Sequence, residues 1–144
     1  MKTKRDKTII GRAERISFPE LGIVGIDAKI DTGAYSTAIH SHRIWVDEKE
    51  GVQYLNFEVL DPSDENYVGL VIRTKNFSQK IVRSSNGKKQ KRYLIKTIIE
   101  IGGKKRKTDV SLTDRGKMRF SVLVGRKVLR NGFLVDVSKK NITS

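Results

Sequence analysis

Cysteine is absent from this chain of 144 residues, and proline occurs only twice, at Pro19 and Pro62. The lack of cysteine excludes disulfide bonds and thiolate metal sites, and it fits a reducing compartment. No segment approaches the roughly 20 consecutive apolar residues that a membrane-spanning helix needs. The charged N-terminus "MKTKRDKTII" also lacks the apolar run of a signal peptide. We therefore expect a soluble, cytoplasmic protein without a membrane partner.

Acidic residues are few relative to basic ones, and the formal net charge is +14. The basic residues bunch in "SSNGKKQKRY" (84–93) and "GGKKRKTD" (102–109), whereas we take the acidic residues to be spread along the chain. Such a surface attracts anions, which in a cell means nucleic acid, an acidic polypeptide or a ribosome. The alternative for each cluster is a solvated loop of an ordinary basic protein.

The dominant sequence period is two, which is typical of half-buried strands. Val24, Ile26, Ala28 and Ile30 alternate with glycine or charged residues. Further strands are predicted at 52–60, 67–74, 79–83, 92–101, 107–112 and 133–138. Turn signals at 47–51, 85–88 and 102–105 predict hairpins, and one short helix is predicted over 125–131. A single mostly-β domain over residues 1–144 follows, a small barrel or sandwich, with 1–8 and 139–144 as candidate flexible tails.

In the stretch "AKIDTGAYSTAIHS" (28–41), an apolar strand ends at a carboxylate, Asp31. A carboxylate at such a position loses hydration unless other groups replace the water. Thr32 supplies a hydroxyl, Gly33 permits a tight turn and the close approach of another backbone, and Ala34 keeps the surroundings small. The tripeptide suits a carboxylate that is held rigidly at a semi-buried junction.

One carboxylate at that junction would serve as a cap or a turn former, whereas two facing carboxylates would share a proton. Like charges a few ångströms apart do not both ionise easily, so their titrations separate into one base and one acid. Such a pair activates a water against an amide carbonyl and then protonates the leaving nitrogen. Asp109, Asp114 and Asp136 are not followed by Thr-Gly, so a second carboxylate must come from a second subunit.

A second motif, "SVLVGRKVLRN" (121–131), places three apolar residues and a glycine before a short helix. Together with the Asp-Thr-Gly stretch and the order of segments 10–41 and 82–138, it resembles one family. This is the bacterial and archaeal retropepsin-like aspartic protease family, often labelled as ATP-dependent zinc proteases. The resemblance implies a small closed β-barrel of the retropepsin type with one short C-terminal helix. Residues 42–81 match less distinctively, and Tyr35 stands where the resemblance leads us to expect a basic or polar residue.

Carried over by this resemblance, Asp31 is the expected catalytic carboxylate, Thr32 makes an interlocking hydroxyl contact, and Gly33 makes the turn. Val122, Leu123, Val124 and Gly125 form the supporting element beside that loop. The resemblance also implies that a hairpin around 73–92 covers the cleft. Arg83 and Ser84 on this hairpin, together with Ala34, are the expected substrate contacts. For Arg83 and Ser84 the alternative is a role in hairpin geometry alone.

Members of this family are often encoded beside, or fused to, ATP-grasp glutamate ligases that modify ribosomal protein tails. The resemblance therefore implies a homodimer that acts on an acidic polypeptide, such as a glutamate-extended ribosomal protein tail. It also implies a functional link to an ATP-grasp ligase.

The residues themselves do not support a zinc site or an ATP-binding site. His40 and His42 lie two apart, but no third histidine, cysteine or His-Glu-x-x-His motif accompanies them, so we expect surface or loop histidines. No glycine-rich phosphate loop ends in Lys-Ser or Lys-Thr. We expect no metal and no cofactor.

Two functions of different classes remain. The first is an aspartic-type endopeptidase that cuts peptide or isopeptide bonds with paired Asp31 carboxylates. The second is a basic nucleic-acid- or ribosome-binding β-barrel module without catalysis, in which the aspartate loop is only structural. The mutation Asp31→Asn separates the two, because only the first function requires the carboxylate.

Overall fold

The computed structural model describes residues 6–83, 86–114 and 119–143, with the side chain of residue 82 left out. Within these residues the chain forms strands, one 3₁₀ turn at Pro19–Leu21 and one short α-helix, α1 (Arg126–Leu129). The strands are β1 (Thr8–Gly11), β2 (Ala13–Phe18), β3 (Ile23–Ile30), β4 (Thr37–His40), β5 (Arg43–Lys49), β6 (Val52–Glu58), β7 (Val71–Thr74), β8 (Phe77–Arg83), β9 (Lys89–Ile101), β10 (Lys104–Thr113), β11 (Val122–Val124) and β12 (Phe133–Asp136).

Six strands close into a barrel in the order β10-β4-β11-β3-β2-β9, because β9 pairs again with β10. Strand β8 extends the barrel sheet at β9, and β5-β6-β7 form a separate three-stranded sheet. Strands β1 and β12 pair in parallel as a third, two-stranded sheet. This architecture confirms the predicted mostly-β class and the small closed barrel with one short helix.

The core explains why these segments become strands. Alternate residues of β3 are buried, among them Ile26, Ala28 and Ile30, while Asp27 and Lys29 face solvent. Val24 breaks the expected alternation, since 79% of it is exposed. Gly25 has a φ of +69°, and the β2–β3 register shifts between Ile16 and Phe18. This irregularity turns Val24 outward, and a positive φ is a conformation that glycine adopts without a steric penalty.

The predicted turns at 47–51 and 102–105 connect β5 to β6 and β9 to β10. The Asn86-Gly87 signal lies in the β8–β9 connection. The strand predicted at 67–74 is too long, because only Val71–Thr74 is extended. Residues 61–67 form turns instead, in which Asp64 N donates to Asp61 O and Tyr67 N donates to Asp64 O.

A buried carboxylate, Glu14, ties the end of the chain to the barrel. It accepts hydrogen bonds from the backbone N–H groups of Gly11, Ile142 and Thr143 at 2.7, 3.1 and 3.1 Å. Burial alone would raise the pKa of Glu14, but these bonds and the Thr143 hydroxyl outweigh it and lower the pKa. Residues 141–143, which we expected within a flexible tail, are therefore bonded to the barrel.

None of the helices in the part of the chain that the structure describes has the length and hydropathy needed to cross a bilayer.

Candidate active site

The carboxylate of Asp31 is held by its own loop, immediately after β3 ends at Ile30. Asp31 is half-buried, and its backbone N–H donates to Val124 O at 2.9 Å. Its Oδ1 accepts the backbone N–H of Gly33 at 2.9 Å, and its carbonyl accepts the N–H of Ala34 at 3.2 Å. These bonds fix both the position and the orientation of the carboxylate.

Gly33 is favoured by limited space rather than by an unusual backbone angle. Its φ does not fall in the left-handed region, unlike that of Gly25 or Gly87. A Cβ atom at position 33 would lie 3.2 Å from Asp31 Oδ1. A side chain here would press on the carboxylate that the Gly33 N–H orients. Gly33 therefore serves to let its backbone approach the Asp31 carboxylate closely.

The second sequence motif lies beside the aspartate loop. Strand β11 is inserted between β3 and β4, so that Val124 pairs with Ile30 and Val122 pairs with both Ala28 and Ile39. Strands β3 and β4 are the two ends of the aspartate loop, and β11 clamps them together.

Gly125 is where the aspartate loop crosses the β11–α1 segment. A Cβ atom there would lie 2.5 Å from Ser36 O and 2.6 Å from Tyr35 O. Its N–H donates to the buried hydroxyl of Thr37 at 3.2 Å. Only glycine allows the two backbones this contact.

The first two residues of α1, Arg126 and Lys127, then bond to the loop. The Arg126 guanidinium donates to Thr32 O at 3.0 Å, and the Arg126 N–H donates to Ala34 O at 2.8 Å. The Lys127 N–H donates to Tyr35 O at 3.0 Å. The Arg126 guanidinium carbon also lies 6.0 Å from the centre of the Tyr35 ring, which is 48% exposed. The unexpected tyrosine thus makes a cation–π contact with Arg126, which also bonds to the aspartate loop.

Four of the six predicted site residues are therefore contiguous: Asp31, Thr32, Gly33 and Ala34 share one braced loop. Thr32 is exposed. Arg83 lies apart, at the end of β8 opposite Lys89, and no described hydrogen bond or ion pair joins it to the loop. Ser84 lies outside the described residues. The predicted substrate contacts of Arg83 and Ser84, and the covering role of their hairpin, stay predictions.

The histidine expectation is wrong for His40. This residue is 2% exposed, and its Nε2 donates to Asp61 Oδ2 at 2.5 Å. Its Nδ1 lies 3.7 Å from Asp114 Oδ1. The pKa of Asp61 falls to about 2, first because Ser63 donates both its hydroxyl and its N–H, and further because of His40. Sequence alternation along β4 would have placed His40 on the same side as Ala38, but the loop at 61–64 covers it.

Among the described residues, no group of three or more histidine, aspartate and glutamate side chains lies close enough together to hold a metal ion. The expectation that the protein uses no metal or cofactor stays a prediction.

Comparison with known proteins extends these observations. The model of the RimB-like family, described as retropepsin-like aspartic endopeptidase RimB, matches residues 9–144. A protein of Shewanella pealeana named "Probable alpha-L-glutamate ligase" is 34% identical over 134 residues, which cover 93% of this chain and 29% of that protein. A protein of the same name from Desulfotalea psychrophila is 30% identical over 130 residues, covering 90% of this chain and 28% of that protein. This chain thus spans less than a third of the length of these relatives.

The fold is also found in a crystal structure of the Legionella pneumophila protein Lpg0085, whose function is unknown. The TM-score is 0.71 with 25% sequence identity, and the match covers 95% of this chain and 98% of that one.

Proposed function

Because this chain belongs to the RimB-like family of retropepsin-like aspartic endopeptidases, we propose that it hydrolyses peptide or isopeptide bonds with two copies of Asp31 in a homodimer. The observation that carries the proposal is the bracing of the Asp31 carboxylate. Gly33 orients it, β11 holds its backbone, and α1 supports the loop from the other side. Asp61, Asp64 and Asp136 also accept the N–H two residues on, so the support of the aspartate loop by β11 and α1 is what carries the argument.

The proposed chemistry follows from bringing two such carboxylates together. The pair shares one proton, because two adjacent negative charges are unfavourable. The ionised member removes a proton from water as the water attacks the carbonyl carbon. The protonated member first donates a hydrogen bond to the carbonyl oxygen, and a proton is then delivered to the leaving nitrogen.

The second carboxylate is assigned to a second copy of the chain because other aspartates are engaged elsewhere. Asp109 accepts a hydrogen bond from Lys127 Nζ at 2.6 Å, and Asp136 accepts one from the Ser138 hydroxyl at 2.6 Å. Asp114 lies near His40, at the far end of β4 from the aspartate loop. A two-fold axis beside the loop supplies Asp31 twice.

The substrate we propose is an acidic polypeptide, and the distribution of charge supports it. Contrary to the sequence-based expectation, the acidic residues are not spread evenly. With Lys49 as the single basic residue, segment 47–65 carries a formal charge of −6, so the remainder carries +20. The acids of this segment are Asp47, Glu48, Glu50, Glu58, Asp61, Asp64 and Glu65.

The basic clusters in 84–93 and 102–109 are thus distinct in sequence from this acidic part, and an anionic chain is drawn toward them. The relatives named as glutamate ligases support a glutamate-extended tail, such as that of a ribosomal protein, as the natural substrate. They also support a functional link between this chain and an ATP-grasp ligase.

The test is hydrolysis of glutamate-rich peptides by the wild type and by Asp31→Asn. We expect the variant to lose at least about 10⁴-fold in turnover, since one group serves as both acid and base. Asp27→Asn is the matched control, because Asp27 lies on β3, which leads into the aspartate loop, is exposed and, among the described residues, forms an ion pair only with Arg15. Equal hydrolysis by Asp31→Asn and the wild type would refute the aspartic mechanism. Polyanion binding without hydrolysis by either protein would favour the binding-module alternative.

A further inference from the structure

A polar cavity lies away from Asp31, beside the turn-side half of the β8–β9 hairpin. Its volume is about 260 Å³, and it opens between the start of β5, the start of β9 and the end of β10. The donors that line it include Gln90, Lys91 and Arg92, and His42 forms part of its wall. Asp114 is the one carboxylate among the described residues around it. The lining therefore favours an anion small enough to enter as a single side chain.

Arg92 is the group that most needs such an anion. Its Nε is buried and has no hydrogen-bond partner among the described residues. An arginine guanidinium stays charged, and a buried donor without an acceptor is unfavourable. Arg92 also lies directly opposite Lys80 in the β8–β9 ladder, and like charges in this arrangement repel each other. A bound carboxylate would satisfy the donor and offset the repulsion.

The position of His42 fixes one wall of the cavity. Its Nδ1 lies 3.0 Å from Leu60 O, and because a carbonyl only accepts, Nδ1 carries a proton. This bond holds the ring against the 58–60 segment and in the wall of the cavity. The wall is therefore fixed on its β5 side.

The strand pairings give the separation, measured along β4, between the cavity and the aspartate loop. Thr37, at the start of β4, bonds to Gly125 beside that loop and pairs with Val110. His40, at the end of β4, pairs with Thr113, which lines the cavity. Thr37 and His40 are three residues apart along β4, which corresponds to about 10 Å at roughly 3.3 Å per residue. An extended peptide covers that distance in about three or four residues.

We propose that this cavity is a carboxylate-binding subsite, which takes one glutamate side chain of the substrate about three or four residues from the bond that is cut. The inference rests on the proposed function for the identity of the substrate, but binding itself requires no catalysis. The guanidinium fork of Arg92 matches a planar carboxylate. Asp114 at the cavity opposes a doubly charged phosphate more strongly than a singly charged carboxylate.

The experiment measures binding in the Asp31→Asn full-length protein, so that turnover does not interfere. The probe is a tetraglutamate peptide with blocked ends, and its Kd is measured by calorimetry. Arg92→Gln should raise the Kd at least tenfold, and Arg92→Lys should do so partly, because lysine keeps the charge without the fork. Lys80→Gln is the matched control, since it removes the same charge from the paired strand outside the cavity. It should raise the Kd less than threefold, and tetraglutamine should bind weakly to every variant.

Equal effects of Arg92→Gln and Lys80→Gln would overturn the subsite, because they would reveal only general attraction by charge. Tighter, Arg92-dependent binding of a single-stranded RNA oligonucleotide would overturn the carboxylate assignment. The proposed function fails separately. If the active protein cuts no peptide but tetraglutamate binding depends on Arg92, the subsite proposal is supported and the peptidase proposal is refuted. If acidic peptides are cut with a KM that Arg92→Gln does not change, the subsite alone falls.

Discussion

Substitution of Gly125 by alanine is expected to disable the aspartate loop while leaving the fold in place. The added Cβ would lie 2.5 Å from Ser36 O and 2.6 Å from Tyr35 O, whereas real Cβ atoms essentially never approach within 3.0 Å of such atoms. Both obstructing atoms are backbone, so no side chain rotation relieves the contact. The loop must move by at least about 0.5 Å.

This displacement has two measurable consequences. Overpacking of this kind costs about 1–3 kcal/mol of stability, which urea unfolding will measure. The same shift propagates to Asp31, only a few residues away on the loop, and a misplacement approaching 1 Å at a reacting group costs about 10²-fold in rate. We therefore expect Gly125→Ala to lower turnover of a fluorogenic glutamate-rich peptide by about ten- to a hundredfold.

The control for stability is Gly51→Ala, in the β5–β6 turn. Gly51 has a φ of +80° and no atom within 4 Å of its added Cβ, so alanine there is strained but meets no obstacle. It should cost about 1–2 kcal/mol with unchanged turnover. If Gly125→Ala retains wild-type turnover, or if Gly51→Ala loses as much, the geometric reasoning is refuted.

Three further predictions concern the assembly, the cofactor and the C-terminal anchor. Specific activity should fall on dilution as dimers dissociate and separate the two copies of Asp31, and sedimentation of a fully active monomer would contradict this. Hydrolysis should persist after dialysis against a chelator and without nucleotide; a loss that zinc restores would show a metal requirement. Because the folded state lowers the pKa of Glu14, its stabilising effect should be complete above the unfolded value near 4.5 and be lost as the pH falls through the folded value. Glu14→Gln should therefore unfold with about 2 kcal/mol less stability at neutral pH, and the difference from wild type should shrink in acid; a pH-independent difference would refute the assignment.

The predictions that succeeded rest on local features of the chain. The Asn86-Gly87 and Gly102-Gly103 pairs favour turns by their own backbone preferences, wherever the rest of the chain lies. From Ile26 to Ile30, the alternation in β3 correctly predicted which residues face the core. At Gly25 the register changes, and Val24, which was predicted to be buried, is exposed. A register shift depends on the neighbouring strand, so no periodicity within β3 reveals it.

The contacts that brace the candidate site depend on residues far apart in sequence. Gly125 bonds to Thr37, 88 positions away, and Arg126 bonds to Thr32, 94 positions away. Strands β4 and β11 are only four and three residues long, too short for a period to be read from them. Their extension is imposed by pairing with β3 and β10, and the motif predicted their association only through resemblance to a family.

By itself, the sequence determined the β-rich class, the main hairpins and the carboxylate at the end of β3, because alternation, turn residues and the Asp-Thr-Gly tripeptide act over a few neighbouring residues. Only the tertiary structure decided that His40 is buried against Asp61, that Glu14 anchors the end of the chain, and that Arg92 is left with a buried donor at a cavity. Burial and the satisfaction of a polar group depend on which distant segments pack over it. A polar residue type therefore carries the same local signal whether it ends in water or in the core.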